Sequence, residues 1–327
     1  MRTIQITRLV SIVAVLAISG CSDDPVSPAP AGQLRVPVDY PTIQDAINAA
    51  CIGDTVVVAA EVYTALHEHT LFYGRVIQVA GVLKQGVVLR GATGDPADVV
   101  IDPQGAGWGL WCVEVDEATG LSSLTVRNAL WAVSGFGASP WIDNCVFENN
   151  GDVEAEPSSS GTGMYFDRSS SLVTDCVFRN NQASSGGGAT FSSSSDVRFE
   201  RCSFLDNQAT KGGGLTVGNN TTATLVDCMV NNNTATEWGG GIYVHGNGLT
   251  VVGGAVSDNA AGEGGGGLCF SFVGMAELED VGVTGNVAPE GPQGHVEGAY
   301  LVELNCCDTD PEEWSGYVTV NDEGCDE

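Results

Sequence analysis

A short motif that ends in asparagine recurs through the middle of this chain and constrains its fold more than any other feature. The first copy is Cys145-Val-Phe-Glu-Asn-Asn150, and every copy keeps the final Asn and an apolar residue three positions before it. The six copies start at 145, 176, 202, 228, 254 and 281, so the successive spacings are 31, 26, 26, 26 and 27 residues. Periods of this length are typical of solenoids, in which each repeat forms one coil that packs against its neighbours.

Each repeat contains three short stretches in which apolar and polar residues alternate. One precedes the motif, one lies within it, and the third follows a run of three glycines, as in Gly186-Gly-Gly-Ala-Thr-Phe191. Alternation with a period of two indicates strands, and no part of the repeats has helical periodicity. If each strand pairs with its copy ~4.8 Å away in the next coil, the chain is all-β. The sequence therefore predicts a single right-handed parallel β-helix with three short strands per coil.

Aligning the copies places the same residue types in columns. The final asparagines would stack at one corner, where Asn tolerates left-handed backbone geometry and its amide can bond to the next coil. The glycine triplets would supply another corner that requires positive φ. The predicted ladder consists of Asn150, Asn181, Asn207, Asn233, Asn259 and Asn286.

Four copies of the motif start with cysteine, and these side chains are expected to point inward as small hydrophobic groups. Disulfides between neighbouring coils would suit the spacing, but parallel Cβ vectors oppose them, so we expect free thiols. The sequence leaves the disulfide state of Cys306, Cys307 and Cys325 open. The predicted inward column is Cys145, Cys176, Cys202 and Cys228.

Both ends of such a stack need covers, because unpaired strand edges invite further pairing. Residues 41–51 form the one segment with an apolar helical face and are predicted to be a capping helix at the N-terminal end. The β-helix, including this helix, is predicted to span residues 35–305. The acidic segment 306–327 is predicted to be a C-terminal cap.

The N-terminus has the pattern of an export signal. Arg2 and Arg8 precede an apolar run, Leu9 to Gly20, which is too short to cross a bilayer. Residues 1–20 are therefore predicted to be a signal peptide. The run that ends at Cys21 resembles the bacterial lipobox, which implies lipidation of Cys21 and attachment to a membrane. An ordinary secretory peptide with a chance cysteine is the alternative. Residues 21–34 are predicted to be the lipidated cysteine and a flexible tether, with the chain exported to the outer membrane or the cell surface.

The charge of the chain limits its partners. It has 41 acidic and 12 basic residues, a formal net charge of −29, and no Lys or Arg after Lys211. Such a field repels phosphate backbones, so we expect no nucleic-acid partner. Cations and neutral glycans fit better, although acidity can also serve solubility alone.

Three stretches carry a family resemblance. Val36-Pro-Val-Asp-Tyr-Pro-Thr-Ile-Gln-Asp, followed by Gly53-Asp-Thr-Val-Val-Val58, resembles the opening of pectin-lyase-like right-handed β-helix proteins. Gly86-Val-Val-Leu-Arg-Gly91 is similar to their early coils, and the Phe-x-x-Asn and Gly-Gly-Gly repeats resemble those of polymorphic outer-membrane proteins. The resemblance covers about residues 35–305 and implies the fold. It implies little about chemistry, because this superfamily includes lyases, hydrolases, esterases and non-enzymes.

The resemblance implies that an enzyme of this kind would use clustered carboxylates for hydrolysis, or Ca²⁺ with an Arg or Lys base for elimination. The column just before the motif contains Asp175, Arg201 and Asp227, which stacking would place in neighbouring coils. These are the catalytic candidates, an arginine base beside Ca²⁺-binding carboxylates. The alternative is a solvated salt-bridge ladder.

A second acidic column lies near the glycine triplets. Glu237, Glu263 and Glu290 are spaced by 26 and 27 residues, so stacking would set them about 5 Å apart along one edge. They are the candidates for weak binding of Ca²⁺, the one cofactor that the sequence suggests, and an empty acidic ladder is the alternative. His67 and His69 could supply two metal ligands from one strand, but no third ligand is identifiable.

Several features bear on ligand binding. The extra residues between the first two copies, around 152–160, are predicted to project as a loop that helps to shape a ligand site. The sequence predicts a non-catalytic, surface-anchored β-helix lipoprotein that is adhesive or binds a polysaccharide or cell-surface glycan. A polysaccharide lyase or hydrolase is the alternative. Candidates for stacking on sugar rings are Trp108, Trp111, Trp131, Trp141, Trp238 and Tyr243.

Overall fold

A computed structural model describes residues 31–151, 160–271 and 273–321. In these ranges the chain winds into a parallel β-helix of about ten turns with almost no helical structure. The predicted signal peptide, Cys21, residues 152–159 of the predicted loop and Cys325 lie outside the described residues. Among the described residues, no helix has the length and apolar character needed to cross a membrane.

The strands of the described chain form three long sheets and one small sheet, which we name A to D. Sheet A contains β1 (Gln33–Val36), β2 (Thr55–Val58), β6 (Val88–Gly91), β9 (Gly120–Ser122), β12 (Trp141–Asp143), β15 (Leu172–Thr174), β18 (Asp196–Glu200), β22 (Thr222–Val226), β26 (Gly248–Val252), β30 (Val273–Glu279), β33 (Ala299–Asn305) and β35 (Val318–Asn321). Sheet B contains β3 (Glu61–Tyr63), β7 (Val99–Ile101), β10 (Thr125–Arg127), β13 (Val146–Glu148), β16 (Val177–Arg179), β19 (Ser203–Leu205), β23 (Met229–Asn231), β27 (Ala255–Ser257) and β31 (Gly282–Thr284). Sheet C contains β4 (His67–Thr70), β5 (Val76–Leu83), β8 (Trp108–Val113), β11 (Val133–Phe136), β14 (Met164–Asp167), β17 (Ala189–Ser192), β21 (Leu215–Val217), β25 (Ile242–Val244), β29 (Leu268–Phe270), β32 (Gly294–Val296) and β34 (Trp314–Ser315). Sheet D contains β20 (Gln208–Lys211), β24 (Thr234–Trp238) and β28 (Ala260–Ala261).

Strands of successive coils pair in parallel and in register, so the sequence columns become stacks of side chains. Phe178 of β16 is in register with Phe204 of β19, and their rings stack with centroids 4.8 Å apart. Phe147 stacks on Phe178 from the other side at 5.1 Å. These rings are fully buried. Burial of an inward-facing apolar row from each sheet gives the solenoid its continuous core.

The asparagine column forms a ladder of buried amides at the corner that follows sheet B. Nδ2 of each of the first five asparagines donates to Oδ1 of the next one along the column at 2.9–3.0 Å. At the end of the ladder, Nδ2 of Asn286 donates to Oε1 of Gln293 at 2.7 Å. Each rung therefore satisfies polar groups that would otherwise be buried without partners.

The backbone at this corner differs from the expectation. The ladder asparagines do not adopt the left-handed conformation; the residue before each of them does. Asn180, Asp206 and Asn232, for example, have φ of 53°, 55° and 56°. The left-handed residue turns the chain, and this turn directs the next side chain inward, where its amide meets the neighbouring coil.

The cysteine column points into the core, and Cys145, Cys176, Cys202 and Cys228 are buried with free thiols. Burial raises the pKa of Cys176 well above the ordinary thiol range, so this group behaves as a small apolar side chain. Near the C-terminus, Cys306 is disulfide-bonded. The Cys307 thiol lies 3.2 Å from the carbonyl oxygen of Leu278. Cys51, close to the N-terminal coil, is also disulfide-bonded.

The one α-helix, α1 (Ile43–Ala49), lies against β1, β2 and β5. Thr42 caps its N-terminus by accepting a hydrogen bond from the backbone N–H of Asp45, which satisfies one of the free donors of the first turn. Ile43, Ala46 and Ile47 are buried on one face, as the apolar spacing predicts. This face packs into the core of the first coils.

Strand pairing continues past residue 305, where the sequence placed the end of the β-helix. β34 pairs in parallel with β32, and β35 pairs in parallel with β33. Trp314 is buried and joins the core. A 3₁₀-helix, Pro311–Glu313, connects these last coils. The segment predicted as an acidic cap thus contributes two strands to the solenoid.

One antiparallel hairpin interrupts the parallel order. β4 pairs antiparallel with β5 at the N-terminal edge of sheet C. The turn between them runs from Leu71 to Arg75, and Gly74 adopts a φ of 87°, a conformation that favours glycine. The hairpin tip therefore presents Phe72 and Tyr73 beyond the sheet.

Candidate functional site

The predicted catalytic column lies at the corner between sheets A and B. Asp175, Arg201 and Asp227 each follow a strand of sheet A and have φ of 52°, 51° and 51°. Nε and Nη2 of Arg201 donate to the two carboxylate oxygens of Asp175 at 2.9 and 2.8 Å. Nη1 of Arg201 also lies 3.3 Å from the carboxylate of Glu200. Within the described ranges, no hydrogen bond or ion pair joins Arg201 to Asp227.

This pairing is unfavourable for base catalysis. The hydrogen bond from Arg201 lowers the pKa of Asp175, and the same bond raises the pKa of Arg201. A general base must be able to lose its proton near the working pH. An arginine held between two carboxylates stays protonated. Asp175 and Arg201 are also about half-exposed, so their geometry is that of a surface salt bridge.

The three glutamates of the predicted calcium column stack through their backbones. The N–H of Glu263 donates to the carbonyl of Glu237 at 2.9 Å, and the N–H of Glu290 donates to that of Glu263 at 3.2 Å. Their carboxylates have different neighbours: Lys211 Nζ lies 3.5 Å from Glu237, and His295 Nδ1 lies 3.6 Å from Glu290. In the part of the chain that the structure describes, no three His, Cys, Asp or Glu side chains group closely enough to hold a metal ion.

The aromatic residues predicted to stack on sugars do not form a single surface. Trp238 packs against His295 with the two rings tilted by 36° and their centroids 4.9 Å apart. Tyr243 is buried beneath Lys211, whose Nζ lies 5.5 Å from the ring centroid. Trp141 lies against the backbone of Gly120 in the preceding coil. These three residues are separate from the other three.

Trp108, Trp111 and Trp131 belong to a second hydrophobic cluster, which is distinct from the solenoid core and lies on sheet C in its first coils. The Trp108 ring centroid is 5.4 Å from that of Trp111 and 4.8 Å from that of Trp131. At the hairpin tip, Phe72 lies 5.0 Å from both Tyr73 and Phe136. We call these six rings the aromatic patch: Phe72, Tyr73, Trp108, Trp111, Trp131 and Phe136.

Exposure of the aromatic patch increases toward the hairpin tip. Trp108 and Trp111 are buried, and Trp131 and Phe136 are partly buried. Phe72 and Tyr73 are 68% and 59% exposed. Contiguous apolar surface of this kind on a soluble protein commonly marks an interaction site. The patch therefore has a buried base and an exposed edge that a ligand can contact.

Two arginines stack on the aromatic patch. The guanidinium carbon of Arg168 lies 4.1 Å from the ring centroid of Phe136, and that of Arg75 lies 5.9 Å from the ring centroid of Trp108. Nε of Arg168 also donates to Asp167 at 3.2 Å. A guanidinium on an aromatic face keeps N–H groups directed along its plane, so these arginines can donate hydrogen bonds beside the rings.

The predicted loop adjoins the aromatic patch at its described end. Nε1 of Trp131 donates to the carbonyl oxygen of Ser160 at 3.0 Å. Residues 152–159 themselves lie outside the described chain.

Phe72, Tyr73 and Phe136 are not among the predicted sugar-stacking residues, because the contacts that bring them together depend on the β4–β5 hairpin, which the repeat pattern does not reveal. The signal was present in Leu71-Phe-Tyr-Gly74, a turn-like sequence between two segments of strand-forming residues.

The stacked parallel coils, the internal amide ladder and the aromatic patch define an all-β solenoid protein of the parallel β-helix class. Comparison with known families gives the same answer. A family model described as "Right handed beta helix region" matches residues 112–276, which is half of the chain, and the chain belongs to this family. The predicted right-handed parallel β-helix is thereby confirmed. No curated protein and no solved structure matches the chain.

Proposed function

We propose that this protein is a non-catalytic, surface-anchored β-helix lipoprotein that binds a glycan through the aromatic patch. The observation that carries the proposal is the exposure of Phe72 and Tyr73 above a buried base of tryptophan rings. Rings that are fixed by packing lose little conformational freedom on binding, so their contact area contributes efficiently to affinity. Sugars present apolar C–H faces that such rings can cover.

The charge of the chain supports a neutral glycan. The net charge of −29 disfavours the approach of anionic polymers to the chain as a whole. Hydroxyl groups of a neutral sugar can accept hydrogen bonds from Arg75 and Arg168 at no cost in charge repulsion.

In this proposal the N-terminus supplies the anchor. Residues 1–20 are removed, Cys21 carries the lipid, and the tether through residue 34 places the first coils closest to the cell envelope. The finer architecture belongs to the same proposal: each complete coil holds three strands, and α1 caps the N-terminal coil. Burial of one face of α1 against β1, β2 and β5 supports the capping role.

A polysaccharide lyase or hydrolase has less support. Arg201 is neutralised by Asp175 and Glu200, and Asp227 stays apart from that pair. The proposed function therefore does not use this column.

The test is binding of the protein to immobilised hexasaccharides of glucose, mannose, galactose and galacturonic acid, together with assays for unsaturated sugar products of a lyase and for new reducing ends released by a hydrolase. We expect binding to a neutral hexasaccharide and no product. Tyr73→Ser should weaken binding about tenfold or more. Tyr317→Ser, which removes another exposed tyrosine (81%) from the last coil, is the matched control and should bind normally. If Tyr73→Ser binds as tightly as Tyr317→Ser, the proposal is wrong. Release of sugar products would also reject it.

A further inference from the structure

Buried polar atoms without partners point to one face of the solenoid. Among the described residues, three such side-chain atoms have no hydrogen-bond partner: Nε2 of His67, Oγ of Ser134 and Nδ1 of His245. His67 is in β4, Ser134 is in β11, and His245 follows β25 directly, so all three are in or beside sheet C. Native proteins rarely leave buried polar groups unpaired, and a bound ligand is one reason for them to do so.

Of the three, Ser134 is the one that is in register with a ring of the aromatic patch, that of Trp111. Val133 of β11 is a core residue, and a Cβ on Gly135 would meet the core ring of Phe166, so alternation directs Ser134 to the outer face of sheet C. Phe136, two residues later, is on the same face. In the flanking coils, Ser134 is in register with Trp111 and Tyr165. A small hydroxyl side chain therefore separates two large rings in a column with a coil spacing of ~4.8 Å.

A serine at position 134 lowers the stability of the protein when no ligand is bound. Ser134 is 2% exposed, so its hydroxyl has lost its water without gaining a protein partner. Alanine or valine would fill an apolar outer face without this penalty. A hydroxyl is therefore unfavourable here for folding alone, but it offers both a donor and an acceptor to a ligand.

We infer that Ser134 Oγ is the hydrogen-bonding position of the aromatic patch for a hydroxyl group of the bound sugar. This inference rests on the proposed glycan-binding function. In this inference the sugar stacks on the rings around Ser134 and one of its hydroxyl groups pairs with Oγ. Because Ser134 is 2% exposed, this pairing requires the side chains around it to move apart when the sugar binds. Because the group is neutral, it recognises a hydroxyl and not a charge, and it selects among neutral sugars by the position of that hydroxyl.

The experiment measures two quantities on each variant of the full chain: its affinity for the tightest-binding hexasaccharide of the panel above, by calorimetric titration, and its melting temperature without sugar. Ser134→Ala should bind about five- to tenfold more weakly, as for loss of one neutral hydrogen bond. Its melting temperature should be unchanged or higher, since an unpaired buried hydroxyl is removed. Ser203→Ala, an outward-facing serine of sheet B, is the matched control and should change neither quantity.

The outcomes separate the two proposals. If Tyr73→Ser loses binding and Ser134→Ala keeps full affinity, the inference about Ser134 is wrong and the proposed function stands. A fall of several degrees in the melting temperature of Ser134→Ala would show that the hydroxyl has a structural role and would also overturn the inference. If the unmodified protein binds none of the hexasaccharides, both fall together.

Discussion

Asn207 and Asn233 are joined twice through a single oxygen atom. Oδ1 of Asn233 accepts a hydrogen bond from the side-chain Nδ2 of Asn207 at 3.0 Å and another from its backbone N–H, also at 3.0 Å. The second proton of Nδ2 reaches the carbonyl oxygen of Phe178 at 2.9 Å. Each ladder amide thus fixes its own coil, the coil before it and the coil after it.

This arrangement makes each rung of the ladder important for stability. We expect Asn207→Ala to lower the free energy of unfolding by about 2–4 kcal/mol, because it removes several buried hydrogen bonds and leaves backbone groups unpaired. Denaturant titration measures the change. Asn231→Ala is the control, since its amide bonds only to Ser257 and Asp258 on the outer side of sheet B, and it should cost less than about 1 kcal/mol. Equal losses in the two variants would contradict a special role for the ladder.

The glycine triplets are needed because the backbones of neighbouring coils approach closely at this corner, and not only because one glycine of each triplet has a positive φ. In the triplet that starts at Gly212, only Gly212 has a positive φ, of 62°. A Cβ on the second glycine, Gly213, would collide with the carbonyl oxygen of Gly240 and crowd the backbone of Thr234. Since both neighbours are backbone atoms of paired coils, neither can move without breaking its ladder.

We therefore expect Gly213→Ala to destabilise the protein by about 3 kcal/mol or more, or to prevent folding. The control is Gly282→Ala, because a Cβ at that position would meet nothing closer than 3.9 Å and Gly282 is not among the residues with positive φ. Thermal melting followed by circular dichroism compares the two. A Gly213→Ala protein as stable as Gly282→Ala would show that the coils can separate at this corner.

The sequence allowed the solenoid to be predicted because its determinants are local and repeated. A column such as Phe147, Phe178 and Phe204 recurs at a nearly constant period, and parallel pairing in register follows from that period. The sequence predicts left-handed geometry at the ladder asparagines, whereas the residue before each of them adopts it. The sequence showed which residue is invariant across the copies, but the chain turns at the variable residue before it, such as Asp206 or Asn232.

The aromatic patch could not be predicted in the same way, because it depends on a feature that occurs once. The β4–β5 hairpin places Phe72 against Phe136, which is distant in sequence, and nothing repeats to reveal the pairing. Likewise, the final strands β34 and β35 lie after the last clear copy of the motif. Their contribution to the solenoid follows from pairing with β32 and β33, which only the structure shows.

Lipidation of Cys21 remains a prediction. We expect Cys21→Ala to move the protein from the membrane fraction to the soluble fraction of cells, because at least two acyl chains are needed for durable attachment and the variant would carry none. Fractionation followed by immunoblotting measures the shift. Ser22→Ala is the control and should stay in the membrane fraction. Membrane association of Cys21→Ala equal to that of the unmodified protein would contradict the prediction.

Asp102 is expected to make the stability of the fold depend on pH in the acid range. The carboxylate of this buried residue accepts hydrogen bonds from Arg127 Nε at 2.9 Å, from Asn128 Nδ2 at 3.1 Å and from the N–H of Gln104 at 3.0 Å. Burial by itself raises the pKa of Asp102, but the hydrogen bonds from Asn128, Arg127 and Gln104 together outweigh it and lower the pKa below the ordinary value.

A carboxyl group whose pKa is lower in the folded chain than in the unfolded chain stabilises the fold above its unfolded value, about 3.9, and this stabilisation is lost as the pH falls through the folded value. We therefore expect Asp102→Asn to be less stable than the unmodified protein at pH 7, with a difference that shrinks as the pH falls below about 4. Denaturant titrations of both proteins from neutral to acid pH measure this difference. Asp98→Asn, which removes an exposed carboxylate nearby, is the control and should leave stability nearly unchanged at pH 7. A difference for Asp102→Asn that stays constant down to the lowest pH would mean that the ionised carboxylate is not the stabilising form.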